Sequence, residues 1–467
     1  MHELTLQTYF DGGWHDAAVL TFNSDYDTAS LAYESGYGFD SLDDASFKAV
    51  SFNYPVSLFS SIHNEVWLYF LDDICPSGAS EKHWVTILGI KHLSGKEKRY
   101  QLLLHGAAAP IGNVRIKEAY ELLLPAPNVV TRFSIDEVKD RASDFLTYAN
   151  SRGAVVAGAT GAGGEAPKVL VRMQSDERVW IDTYQDNNTC TDQHYLVKYP
   201  RGTRTSDDCD ILRAEYHFYQ ELKDMGFETI DTSTMKLIEG THYPSLWLPR
   251  FDVGLNRHGF IERYGIESVY SVLKKEAGSH LNHIEVIDGL IASSKQLVLE
   301  NNCLFDEQQL VIDWVTRDLL NIVFSNVDNH CRNTAFIKRD NTICLAPIYD
   351  FAPMKVDPAG IARTTTWKTP MEIGGEYDFL AISQALQHHI CPDRLLASLQ
   401  QTSQQLLGLD ERLKNRGVPK RILEYPAIGF RGLEDKLERW GLIWQWNEFP
   451  NTIDQYPPQS GTNWYKA

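Results

Sequence analysis

Asp328, Asn333 and Asp350 are the side chains whose types and spacing could do chemistry. Phosphoryl transfer needs a carboxylate to take the acceptor hydroxyl's proton, an amide oxygen for one magnesium ion, and a second carboxylate that bridges metal and phosphates. The chain supplies these in that order. Asp328 and Asn333 share one loop segment, and an apolar run at 334–337, a charged turn at Arg339-Asp340-Asn341 and a second apolar run at 343–348 then lead to Asp350. This pattern predicts a loop, a hairpin and an acid at a strand end, with the hairpin returning Asp350 to the loop. Turn chemistry and helix capping also favour Asp and Asn at such positions, so no one of the three carries the reading alone. Beside them, Arg332 is a cation able to stabilise a transferring phosphoryl group or to pair with Asp328, and His330 either faces the substrate or packs the loop.

The elements that must position these groups lie upstream. Gly158, Gly161, Gly163 and Gly164 fall between β-like runs at 154–156 and 169–173, where absent side chains let backbone amides approach phosphate oxygens. The loop fails the Walker pattern, because Gly164 stands where lysine is required, and it fails the dinucleotide fingerprint at Ala166. Further β runs follow at 179–181 and 194–199, the latter carrying Lys198, whose ammonium could contact phosphates. A helix through 211–222, closed by Gly226, carries Glu215 to fix that ammonium. A last strand at 245–251 leaves the sheet, and from Asp252 helical patterns dominate. Val311, Val315, Leu319 and Ile322 form a stripe running into the Asp328 loop. Surface lysines and glutamates are common, so Lys198 and Glu215 gain meaning from the order of elements. No nucleophile elbow, His-Glu-x-x-His helix or paired-cysteine metal site competes.

With 467 residues, 43% of them hydrophobic, the chain is long enough for two or three domains. There is no internal repeat, no signal-peptide pattern and no apolar run of membrane-spanning length, so a soluble protein is expected. The seven cysteines form no Cys-x-x-Cys pair and read as reduced thiols in a cytoplasm. A net charge of −18 argues against a surface built for nucleic acid or anionic membrane. The basic clusters at Arg412, Lys414, Arg416, Lys420 and Arg421 and at Lys96, Lys98 and Arg99 read as solvated helix ends or turns. The first 125 residues read as mixed α/β, with β-like runs at 66–71 and 100–104. Pro125-Ala126-Pro127-Asn128 marks a boundary, and a helix capped by Ser134 and Glu137 is expected to run to Tyr148. The expected domains are 1–125, an N-lobe at 126–251 and a helical C-lobe at 252–467.

From about Gly153 to Pro358 the chain resembles the HipA-like serine/threonine kinases of toxin–antitoxin systems. A weaker similarity covers Pro55-Val56-Ser57-Leu58 and the segment from Asp72 to Gly78. The family's Asp-x-His-x-(Lys/Arg)-Asn is matched by Asp328-Asn329-His330-Cys331-Arg332-Asn333, and its Tyr-Asp before proline by Tyr349-Asp350-Phe351-Ala352-Pro353. Its phosphate loop is matched by Ala162-Gly163-Gly164-Glu165-Ala166-Pro167-Lys168, closest to the variant branch, and its Arg-Phe-Asp by Arg250-Phe251-Asp252. The resemblance implies an α+β, atypical protein-kinase-like bilobal fold using ATP and Mg2+. In it Asp328 is the base with Arg332 beside it, and Asn333 and Asp350 are the metal ligands. ATP is bound by Gly161, Ala162, Gly163, Gly164, Lys168, Lys198, Glu215 and His330, and at the hinge by Trp247, Leu248 and Pro249. Thr160 stands where the family phosphorylates a serine. The implied partners are a protein substrate, an aminoacyl-tRNA synthetase in characterised toxins, and a small DNA-binding antitoxin of HipB type through which DNA is reached. Two other readings are a small-molecule phosphotransferase, which shares the Asp-to-Asn spacing but usually has histidine where Val327 stands, and a silent antitoxin-binding scaffold.

Overall fold

The computed structural model describes residues 1–42, 47–58, 65–123, 131–141, 144–146, 149, 155–156, 167–181, 192–256, 258–300, 304–339 and 342–443. The glycine-rich loop with Gly158, Thr160, Gly161, Ala162, Gly163 and Gly164, and the boundary at 125–128, lie outside these residues.

The N-terminal region is an antiparallel sheet of order β3-β2-β1-β4, made of β1 (His2–Phe10), β2 (Gly13–Phe22), β3 (Ala29–Tyr33) and β4 (Val114–Ile116). Its alternating inward residues, among them Leu4, Leu6, Leu20 and Phe22, share a core with Trp67, Leu68 and Leu103. The β-like run at 100–104 lies inside a helix, Gly95–Gly106. Tyr100 and Leu103 recur at helical spacing on its buried side, and a Lys/Glu/Gln/Leu-rich segment without β-branched residues favours that state. Residues 66–71 form no strand either. Val66 is exposed, and 71–74 begin a short helix, Leu71–Ile74.

The second sheet has the order β5-β6-β8-β10-β9, with β7 paired to β6, and every pairing is antiparallel. Its strands are β5 (Val155–Val156), β6 (Lys168–Met173), β7 (Val179–Ile181), β8 (Gln193–Lys198), β9 (Lys236–Glu239) and β10 (Pro244–Pro249). The Ser134 cap forms with the expected capping box, but its helix stops at Lys139. Asp140 turns away to accept from Thr241 N at 2.6 Å, and Arg141 takes a φ of 52°, which no helix continues through. Helix Ser206–Asp224 packs across the sheet. A Thr205–Asp208 capping box starts it, and the left-handed Gly226 follows its end, with Phe227 N donating to Leu222 O.

Beyond Asp252 the chain is mostly helical, though less purely than the pattern predicts. Gly265–Ser268 pairs with Ala335–Arg339, which forms the expected hairpin with Thr342–Leu345. Helix Glu307–Val323, capped by Asp306, buries Val311, Val315 and Leu319 in the largest core and runs into the Asp328 loop. Three of the five basic residues at 412–421 face acids of helix Ser206–Asp224. Arg412 and Arg416 hold the two oxygens of Glu221 at 2.6 and 2.7 Å, and Arg421 pairs with Asp207. Among the described residues no helix is long and apolar enough to cross a membrane, and the five described cysteines are free thiols.

Candidate active site

Strand register builds the first half of the site. Lys168 opens β6 directly opposite Lys198 at the end of β8, so the antiparallel pairing sets the two lysines side by side. Both reach the same acid: Lys198 Nζ donates to Asp350 Oδ1 at 2.5 Å, and Lys168 Nζ to Asp350 Oδ2 at 3.1 Å. Lys198 also donates to both oxygens of Glu215, at 2.6 and 2.7 Å, and Tyr219 Oη, one turn further along the same helix, donates to Glu215 Oε1 at 2.8 Å. Burial opposes the charge on Lys198, but Asp350 and Glu215 outweigh it and raise its pKa above the usual lysine range. Burial likewise opposes ionisation of Asp350, and the two lysines overcome it, holding the carboxyl well below the usual range.

The hairpin supplies the second half by returning Asp350 to the loop that carries Asp328. Asp350 has a φ of 53°, a strained position for a residue with a side chain, fixed by Asn326 Nδ2 on its carbonyl and by Phe351 N donating to Tyr219 Oη at 3.2 Å. Asp328 is buried, and burial together with the nearby Asp350 charge pushes its pKa up to about 7. Asn333 Nδ2 donates to the Asp328 carbonyl at 2.7 Å, which leaves Asn333 Oδ1 buried without a hydrogen-bond partner. The orphaned amide oxygen, the Asp350 carboxylate and the Asp328 carboxyl are oxygen donors, the kind magnesium takes, so the residue types fit the ion.

His330 accepts from Arg332 N at Nδ1, and its Nε2 lies 3.5 Å from Asp328 Oδ1. Burial lowers its pKa to about 4, so the ring is neutral near pH 7 and stands behind the base, among the residues that line neither of the two cavities at the cleft. Arg332 turns toward the N-terminal region, its Nε 3.9 Å from Asp73 Oδ1. Leu248, Pro249, Lys168, Lys198 and Asp350 line one cavity, and Lys168, Lys198, Glu215, Asp328 and Asp350 line a second, so the lysines and Asp350 stand where the two meet. The Trp247 side chain packs on the far face of the sheet against Tyr195, leaving only its backbone toward the hinge. The pairing of β10 with β9 ends at Trp247, so Leu248 and Pro249 have no strand partner on that edge.

Two groups escaped the sequence reading. The first cavity is also lined by Asp73, Ile74, Pro110 and Ile111, so the N-terminal region forms part of its wall. The only signal was the weak similarity around Asp72 to Gly78. Behind the loop, the buried Asp318 accepts from Arg363 Nη2 at 2.7 Å, Trp367 Nε1 at 2.8 Å and Asn329 Nδ2 at 3.2 Å. Burial opposes its ionisation, but Arg363 and His283 outweigh it and hold the acid well below the usual range. No spacing signals these contacts, because Arg363 and Trp367 come from beyond the hairpin.

The HipA-like C-terminal domain family matches residues 160–408, more than half of the chain, including the Asp328 loop and the hairpin that leads to Asp350. The chain belongs to the HipA-like family. A structure of HipA from Shewanella oneidensis MR-1, solved in complex with HipB and operator DNA, aligns over 94% of this chain and 97% of its own at 14% identity, with a TM-score of 0.62. At that identity the match shows the fold, which is the α+β, kinase-like architecture of HipA. The Helicobacter pylori proinflammatory kinase CtkA aligns over 60% of this chain and 89% of its own at 13% identity, with a TM-score of 0.37. A comparison with curated protein sequences returned no match.

Proposed function

We propose that this HipA-like protein is an ATP- and magnesium-dependent serine/threonine protein kinase, the toxin component of a toxin–antitoxin pair. The observation that carries the reading is the convergence on Asp350 of two lysines from adjacent strands, beside a carboxyl poised near neutrality and an orphaned amide oxygen. Asp328 is the base. A carboxyl with a pKa of about 7 is matched to taking a hydroxyl proton at working pH. Lys168 and Lys198 hold phosphate oxygens, Glu215 orients Lys198, and the Leu248–Pro249 edge receives the base of the nucleotide, while Arg332, turned to Asp73, ties the Asp328 loop to the N-terminal region. Asn333 Oδ1 and Asp350 would hold magnesium, which when bound neutralises the charge of the transferring phosphates.

Thr160, outside the described residues, is the proposed autophosphorylation site, and an aminoacyl-tRNA synthetase the proposed class of protein acceptor. The HipA of Shewanella oneidensis is paired with HipB on operator DNA, which supports a HipB-type antitoxin here. The net charge of −18 favours DNA contact through that partner. The test is transfer of labelled phosphate from ATP to co-incubated proteins, followed by mass spectrometry of the products. Magnesium-dependent labelling of protein, abolished in Asp328→Ala and Asp350→Asn, is expected. Labelling retained in both variants overturns the reading, and labelling of small molecules alone moves it to a small-molecule phosphotransferase.

A further inference from the structure

Apart from the cleft residues, the helical lobe gathers two histidines and two acids that phosphoryl transfer does not use. Asp288 lies on helix His283–Glu300, His388 and His389 on the turn before helix Pro392–Leu406, and Glu307 at the start of the helix leading to the Asp328 loop. Two imidazoles converge on one oxygen: His388 Nε2 and His389 Nε2 lie 2.9 and 2.8 Å from Asp288 Oδ1. The opposite ring nitrogen of His389, Nδ1, lies 2.6 Å from Glu307 Oε1, and Glu307 Oε2 is held by Lys295 Nζ at 2.7 Å.

With protons alone this geometry is demanding. Both Nε2 atoms must carry hydrogens aimed at a single oxygen, and His389, facing a carboxylate at each nitrogen, must be a full imidazolium. A divalent cation removes the demand. Neutral imidazoles then offer Nε2 lone pairs, Asp288 offers an anionic oxygen, and Glu307 accepts the remaining Nδ1–H of His389, the carboxylate–histidine arrangement that orients a metal-bound ring. The candidate ligand atoms already lie within 4.8 Å of one another. Metal–ligand bonds of about 2.0–2.2 Å put tetrahedral ligand atoms about 3.3 Å apart, so each His–Asp288 separation would open by about half an ångström. Asp288 and His388 are nearly half exposed, which leaves a solvent-facing side for water as a fourth ligand.

We propose that Asp288, His388 and His389 form a zinc-class metal site with Glu307 as the acceptor that orients His389. Two nitrogens and one carboxylate suit zinc better than magnesium or calcium, which prefer all-oxygen sets. The ion would join helix His283–Glu300 to the 388–389 turn and, through Glu307, to the helix that ends at the catalytic loop. It would therefore act as a clamp on the lobe, independent of whether the cleft transfers phosphate.

The test uses the full chain, stripped with chelator and titrated with Zn2+ or Co2+ in excess magnesium, which occupies oxygen-rich sites. Expected are one tightly held equivalent per chain, the visible absorption of four-coordinate cobalt, and a rise in Tm with zinc. All three should be lost in His389→Gln and in Asp288→Asn and kept in Asp350→Asn. Asp288→Asn alters a half-exposed position and keeps hydrogen-bonding capacity, so it answers the question even if His389→Gln fails to fold. No zinc on the wild-type protein, unchanged binding in folded Asp288→Asn, or binding lost only in Asp350→Asn would each overturn the proposal.

Discussion

Replacing Asp328 with Asn should make the protein more stable in alkaline buffer while removing its proposed activity. Burial and the Asp350 charge raise the Asp328 pKa from 3.8 to about 7, so the native state holds this proton more tightly than the unfolded chain does. Stability must then fall as pH climbs from about 4 through about 7, since in that window folding is coupled to keeping the proton. At about 1.4 kcal/mol per pKa unit, a rise of roughly three units means that an ionised Asp328 costs up to about 4 kcal/mol above pH 7. An Asn of the same shape carries no such cost. Thermal unfolding of wild type and Asp328→Asn without divalent metal should therefore nearly coincide at pH 4.5 and separate at pH 8. The variant should be higher by several degrees, given about 2–4 °C per kcal/mol for a domain of 150–250 residues. A constant offset at both pH values, or a variant less stable at pH 8, would refute the electrostatic account of this carboxyl.

Lys198→Met leaves Glu215 and Asp350 buried without their shared cation, and it should cost about 3–5 kcal/mol by denaturant unfolding, with nucleotide binding lost as well. Asp318→Asn should destabilise by about 3 kcal/mol, because the buried Arg363 loses its closest acid and keeps only Glu372 at 3.5 Å. The folded pKa of Asp318 is depressed, so this wild-type advantage is full above the ordinary aspartate value of about 3.9 and shrinks as pH falls below it, which a pH series of unfolding midpoints would read. Asp252→Asn weakens the anchor for both Gly112 N and Arg250, and limited proteolysis should cut the N-terminal region faster while the remainder stays protected.

The groups proposed to do the chemistry were legible because loops and strand ends keep them close in sequence: Asp328 and Asn333 share a loop, and one hairpin brings Asp350 back toward Asp328. The Lys198–Glu215 pair was legible too, since a strand lysine followed by an amphipathic helix leaves few other partners. What the sequence hid depends on register and on long-range packing. That Lys168 meets Asp350 follows from its position opposite Lys198, which no spacing reveals. The early stop of the Ser134-capped helix follows from Asp140 meeting Thr241, about a hundred residues away. The run at 100–104 reads as a strand because short apolar stretches look alike in both states, and its helix is decided by a core assembled from β1, β2 and the Trp67 segment.

Several acids at the junction with the N-terminal region grip main-chain amides. Glu267 accepts from Phe52 N and Ser51 Oγ, Asp252 from Gly112 N, and Asp73, from the other side, takes Ser268 N. Such joints cannot be cut cleanly. A truncated chain limited to the family-matched portion would leave Glu267 with Ser271 and Asp252 with Arg250, and would bare the seam they close, so it should aggregate instead of behaving as a free-standing module.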